Sequence, residues 1–488
     1  TDAAGTTEYS YDAAGRLNGI VNTTAGLQLD YQYNTRNLVS QITYGGTSAG
    51  NKRLFQYDPL GRVEVDELRT ATDDLVGRIT YGWDVNSNLI SKTTVGFAGS
   101  SVNTYEYDLA DRLISWNNGS TTETYTYDAS GNRTSVGSTT YTYNARNQLV
   151  SSSDGTTYTY TPRGTLASTT TGTVTLPTES DAFGQVIRQY YTSTSYREYT
   201  YDGLGRMLQP GFSYTGLGND LAADPTATYV RGPVGELIGV NSAYAWTDQH
   251  TDLVGLFGAT STALTGSATY SPFGEVLATS GMQGSLGFQS EYTDALTGRV
   301  NMHARWYNPQ TGQFDSRDSK TVSPIPISGS ANRYAYAAGN PLTRIDPTGH
   351  DWCNNFWTCI AEGFINSFNI MSVASGLVSF IKDPRGALGS MWNTLSGEAN
   401  RWKGIVGDLI RQHIPGGVCG WFLIGGTICG GLSTAAGWAC AVSGICNVIY
   451  ECLAALQGNV QGQKECGKEI GGIIASALVG LVTVGAGA

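Results

Sequence analysis

The stretches YSYDAAGRL (residues 9–17), FQYDPLGRV (55–63), YTYDASGNR (125–133) and YTYDGLGRM (199–207) repeat one phrase. It runs aromatic, any residue, aromatic, Asp or Asn, two variable residues, Gly or Asn, and an apolar position close behind. Degenerate copies at Tyr31, Tyr81, Tyr105, Tyr141, Tyr158 and Ser180 bring the total to ten in about the first two hundred residues, roughly 16 to 26 residues apart. The two aromatics stand two apart, so in a strand they share a face, and the following four residues have the chemistry of a type I turn closed by a left-handed residue. Each copy therefore reads as a hairpin. The fourth turn position is Gly15, Asn37, Gly61, Asp111, Gly131, Asn147, Gly164, Gly184 and Gly205, residues that tolerate positive φ. The copy at Tyr81 has Ser87 there, and Asn86 beside it is expected to take the bend. Pro59 presets φ at the second turn position of its copy.

Composition agrees with a sheet. Charged residues are 14% of the 488, with abundant Tyr, Thr, Ser and Gly, which favours strands and turns over surface helices. The formal charge is −11 and Lys/Arg runs are absent, which argues against nucleic-acid binding by residues 1–350. All eight cysteines fall in the last third (Cys353, Cys359, Cys419, Cys429, Cys440, Cys446, Cys452, Cys466), suggesting disulfides and an oxidising destination; a zinc cluster is the rival reading, but no C-x-x-C spacing occurs. No cofactor or metal is expected. Thr1 falls in a repeat-like TDAAG turn, so the natural polypeptide is expected to start upstream.

The chain divides into a repeat array (1–210), loosened repeats (211–281) with a last recognisable turn at Ser271, Pro272, Phe273 and Gly274, a motif-dense segment (282–350), and a cysteine-rich hydrophobic tail (351–488). The tail carries seven basic and eight acidic residues but none in 415–450 or 470–488. Both runs exceed a bilayer-spanning length and are rich in Gly and Ala. Membrane contact or translocation is one reading, burial of loosely packed helices the other. Residues 364–381 and 387–414 read as amphipathic helices, and His413 as an ordinary surface histidine.

The array resembles the YD repeats of the Rhs family, and residues 245–350 resemble the Rhs-associated core. The resemblance is carried by TDQHTDLVGLFGAT with YSPFGEV, by residues 292–298, by Ala304-Arg305-Trp306-Tyr307 with Asn308-Pro309, by residues 314–318, by 332–336 with Asn340-Pro341, and by Asp346-Pro347-Thr348-Gly349. The family implies a mainly β fold: hairpins wound into a hollow β-shell, a core closing one end, and a variable payload after DPxG held inside. It comprises bacterial toxins, insecticidal toxin-complex subunits and animal teneurins. It implies secretion or a cell-surface location, the C-terminal segment as cargo, an upstream delivery domain and an immunity protein as partners.

Toxin-type members cut themselves just beyond DPxG with two aspartates and an adjacent arginine. The matching residues are Asp318, Asp346 and Arg317, with the break near Gly349 and His350. Two carboxylates sharing a site push one pKa up, so one can protonate while the other activates water, and Arg317 would keep the second ionised. Asp-Pro-x-Gly is equally a good type I turn, as at Asp58, and the chain departs from the family in continuing Asp318-Ser319-Lys320-Thr321. The competing function is a surface adhesin or glycan-binding module without proteolytic activity; a pore-forming tail is a third.

Overall fold

The computed structural model describes residues 1–216, 218–320 and 332–350. Nineteen strands, from Thr7–Tyr11 to Tyr196–Glu198, form one long antiparallel sheet in which each strand pairs with the next in the chain. Two short pairs follow, Thr200–Tyr201 with Met207–Leu208 and Ser213–Tyr214 with Leu221–Ala223. A six-stranded sheet then runs from Tyr229–Arg231 to Val276–Ser280, and a four-stranded one from Tyr292–Thr293 to Gln313–Phe314. Among the described residues there is no α-helix, and no helix is long and apolar enough to cross a membrane. The expected tail helices and disulfides lie outside the described residues.

The repeat phrase explains the meander. At Asp12 the N–H of Gly15 closes on the aspartate carbonyl at 2.9 Å, while Asp12 Oδ1 accepts the N–H groups of Ala14 and Arg16, each at 2.9 Å. This satisfies turn donors that would otherwise face solvent. The fourth residue is left-handed in every copy, with φ of 81° at Gly15 and 61° at Asn37. In the Tyr81 copy the bend falls on Ser87 itself (φ 67°), not on Asn86. Its N–H closes on the Asp84 carbonyl at 3.2 Å, so the turn's position, counted from the aspartate, overrides the preference of the neighbouring asparagine. The register shifts by one residue at the second aromatic of most copies, as between Gln56 and Tyr57, which marks a bulge where strand meets turn.

The paired aromatics do share a face: the rings of Phe55 and Tyr57 lie 6.5 Å apart, and those of Tyr81 and Trp83 6.3 Å. The second one also reaches back one hairpin. Tyr33 donates to the carbonyl of Leu17 (2.7 Å), Tyr57 to Val39 (2.7 Å), Trp83 to Val63 (2.9 Å), Tyr107 to Leu89 (2.8 Å) and Tyr127 to Leu113 (2.9 Å). Each acceptor is the apolar position of the preceding phrase. The arginine before that position folds onto its own turn aspartate, as in Arg62–Asp58 (2.6 Å), and lies over the next hairpin's aromatic, Arg62 over Trp83 at 5.6 Å.

The six-stranded sheet packs on the long one through aromatics. Tyr44 meets Tyr244 and Phe257, each with centroids at 4.8 Å, and buried Trp246 meets Phe97 at 4.9 Å. Trp246 Nε1 donates to Asp66 Oδ2 (2.9 Å), a carboxylate already bound bidentately by Arg53, so the buried charge is paired and its remaining lone pair used. The turn expected at Ser271 forms, with the Gly274 N–H on the Ser271 carbonyl at 2.9 Å. Ser87→Gly should relieve the left-handed conformation and stabilise the protein by roughly 0.5–1 kcal/mol, whereas Tyr107→Phe should cost about 1 kcal/mol. Urea midpoints at constant slope check both.

Candidate self-processing site

The segment carrying Asp318 leaves the four-stranded sheet and runs along a repeat turn. Leu166 N–H donates to the Asp315 carbonyl (2.7 Å), Arg317 N–H to that of Gly164 (3.1 Å) and Asp318 N–H to that of Arg333 (3.1 Å). Asp346 begins the terminal Asp-Pro-Thr-Gly turn, which sits on the tight connection between Val300–Met302 and Arg305–Asn308. Gly349 is left-handed there (φ 68°), and a Cβ would lie 2.1 Å from the Met302 carbonyl oxygen, so only glycine fits.

These two segments bring Asp318 and Asp346 to one guanidinium, that of Arg305. Its Nη2 lies 3.1 Å from Asp346 Oδ2 and 3.3 Å from Asp318 Oδ2, Nη1 donates to the Arg333 carbonyl (2.9 Å), and Nε donates to the Gly349 carbonyl. Phe314 forms the floor, with the guanidinium carbon 3.6 Å from the ring centroid. His350 completes the group: its N–H donates to Asp346 Oδ1 (2.9 Å), and its Nδ1 lies 2.8 Å from Asp318 Oδ1, which also accepts the Lys320 N–H (2.8 Å). The two aspartates, Gly349 and His350 named from the sequence thus converge. Arg317 does not join them; it is exposed, and the guanidinium between the carboxylates is that of Arg305. Arg317 lies past the last strand, Gln313–Phe314, and is exposed, whereas Arg305 opens the strand Arg305–Asn308 and is buried.

The environments of the two carboxylates differ in sign. Burial raises the pKa of Asp346, and Arg305 and the His350 N–H only partly offset this, with the Asp318 charge adding to the rise. Burial also acts to raise Asp318, but the His350 hydrogen bond, the Arg305 charge and the Lys320 N–H outweigh it and hold its pKa below the ordinary value. One guanidinium facing two carboxylates thus leaves Asp346 the more readily protonated of the two. Among the described residues no group of three or more His, Cys, Asp or Glu side chains is arranged to hold a metal ion.

The model of the teneurin YD-shell family matches residues 55–210 and 222–342, more than half of the chain. The chain belongs to the teneurin YD-shell family. This YD-shell chain is 25% identical over 404 residues to the tRNA nuclease WapA of Bacillus subtilis, covering 74% of the chain and 15% of the relative. It is 27% identical over 378 residues to double-stranded DNA deaminase toxin A of Burkholderia cenocepacia, covering 60% and 24%. It therefore spans less than a quarter of the length of these two relatives. Among solved structures, the TcdB2-TccC3-Cdc42 crystal structure matches with a TM-score of 0.50 at 17% identity, over 70% of this chain and 20% of that one. TcdB2-TccC3 without its hypervariable C-terminal region matches with the same score at 18% identity and the same coverages. The likeness to these is one of fold.

Because a raised folded-state pKa means that folding takes up protons, the contribution of Asp346 to stability is fully present below the ordinary carboxylate range. It is lost as pH rises through the raised value. Asp346→Asn, a neutral isostere, should fold and should lack that loss, so its urea midpoint relative to the parent should climb with pH above about 4. Arg305→Ala, which leaves two buried carboxylates without their cation, should destabilise by about 3–5 kcal/mol in the same assay.

Proposed function

We propose that this chain is the shell and core of a Rhs-type toxin that encloses the polypeptide after residue 349 and severs itself from it at the Gly349–His350 bond. The supporting observation is how that one peptide unit is held: its carbonyl accepts from Arg305 Nε and its N–H meets Asp346 Oδ1 at 2.9 Å. Arg305 is aimed at the oxygen that becomes negative when water adds to the carbonyl carbon. Asp346, whose pKa burial raises, is the acid that protonates the His350 nitrogen as the C–N bond breaks, and Asp318, kept ionised, drives removal of the proton from the attacking water. The products are a Gly349 carboxylate and a fragment whose first residue is His350.

Membership of the YD-shell family and the toxins among the relatives support the delivery reading, and with it secretion or transfer out of the producing cell. The array and core enclose and deliver; the residues after 349 are the payload or the connector to it. The experiment is intact-mass measurement of the full-length chain under denaturing conditions. Two masses that sum to the chain plus one water, divided after residue 349, are expected for the parent and for Arg317→Ala. Asp318→Asn and Asp346→Asn should each give a single mass. An undivided parent chain would sink the proposal.

A further inference from the structure

Asp318 is poorly placed to touch the water it is meant to activate. Its Oδ1 already takes the His350 Nδ1 and the Lys320 N–H, and its Oδ2 faces Arg305. The side chain is 3% exposed, like that of Asp346, and Arg305 is 4% exposed. The His350 side chain is 23% exposed, so within this group the imidazole is where solvent arrives. A carboxylate held ionised accepts only, so the hydrogen of the Asp318–His350 bond resides on Nδ1, and in the neutral ring the lone pair falls on Nε2. The carbonyl to be attacked belongs to the residue immediately before His350.

We propose that His350, the first residue of the departing segment, is itself the general base of the cut, with Asp318 acting through it. The inference rests on the self-cleavage reading above. A water molecule gives a proton to His350 Nε2 as its oxygen bonds to the Gly349 carbonyl carbon, and the carbonyl electron pair moves onto the oxygen held by Arg305. That pair returns as the C–N bond breaks, and the nitrogen takes the proton of Asp346. The imidazolium, stabilised by Asp318 while it exists, then returns its proton to Asp346 or to solvent, so one water is consumed and nothing else. Asp318 becomes a positioning residue that orients the ring and sets its tautomer. The substrate carries its own base, and the base leaves with the product.

The test follows cleavage of the full chain over time in cell-free translation, for the parent, His350→Ala and the His350→Ala/Asp318→Asn pair, with and without added imidazole. His350→Ala should cut at least about 100-fold more slowly, the usual worth of a positioned base. Imidazole should restore much of the rate in His350→Ala, where Asp318 remains to orient it, and little in the double variant. A His350→Ala chain that cuts as fast as the parent overturns the proposal in favour of direct action by Asp318. A slow variant that imidazole does not revive overturns it too, since the ring would then serve structure only. If the parent itself stays whole, the self-cleavage reading fails instead.

Discussion

An aspartate that caps its own turn is the constraint on which this structure depends. At the head of most YD phrases an aspartate carboxylate, or an amide oxygen at Asn34 and Asn144, accepts N–H groups two and four residues on, the turn closes on the carbonyl of that residue, and a left-handed residue returns the chain. With the turn fixed, the register of the two strands is fixed, and so is the face on which the aromatics stand. The ring of the second aromatic then meets the carbonyl one hairpin back, and the arginine from that hairpin lies over it. Each contact is small, since partly exposed ion pairs of this kind contribute about 0.2–1 kcal/mol. Their repetition holds a sheet whose members otherwise contact only neighbours.

The candidate site is one of these turns with three changes. In Asp12, Asp58, Asp108 and Asp202 desolvation tends to raise the carboxylate, but the arginine four residues on and the turn N–H groups outweigh it, so all four lie below the ordinary value. At Asp346 the residue four on is His350, the guanidinium comes from Arg305 and is shared with Asp318, and burial is nearly complete. The backbone bonding is the same, with the Gly349 N–H on the Asp346 carbonyl at 3.4 Å, yet the balance of desolvation against charge reverses. Carboxylates shifted in opposite directions thus differ in partner and solvent access rather than in the turn that holds them.

This explains how much could be read from the chain. Turn chemistry is local, so the hairpins, the left-handed positions and the shared face of the aromatics were legible. Ser87 shows the limit: the hydrogen-bond count from Asp84, a geometric fact, places the bend, while residue preference points to Asn86. The aspartate pair was legible through motif resemblance. Its arginine was not, because Arg317 adjoins Asp318 in the chain whereas Arg305 adjoins it in space, across a hairpin that no spacing rule reveals. The histidine on Asp318 was visible only as the residue after the motif, since the turns at Asn34, Asp84 and Asp128 also lack an arginine four positions on. The back-reaching tyrosine hydroxyls likewise have no trace in a single repeat, since donor and acceptor belong to different copies.

Such back-reaching bonds make the length of the array adjustable. Where the phrase is complete, a hairpin meets its predecessor through one carbonyl and one arginine, as Tyr33 meets Leu17 and Arg16, so repeating such a unit repeats the same junction. The freedom is least around Tyr44, Phe97 and Tyr125, which are pinned by aromatics of the later strands and turns, and around Tyr158, whose turn at Gly164 carries the segment leading to Asp318. Gene duplication or deletion among hairpins outside these pins can therefore lengthen or shorten the sheet in whole-unit steps.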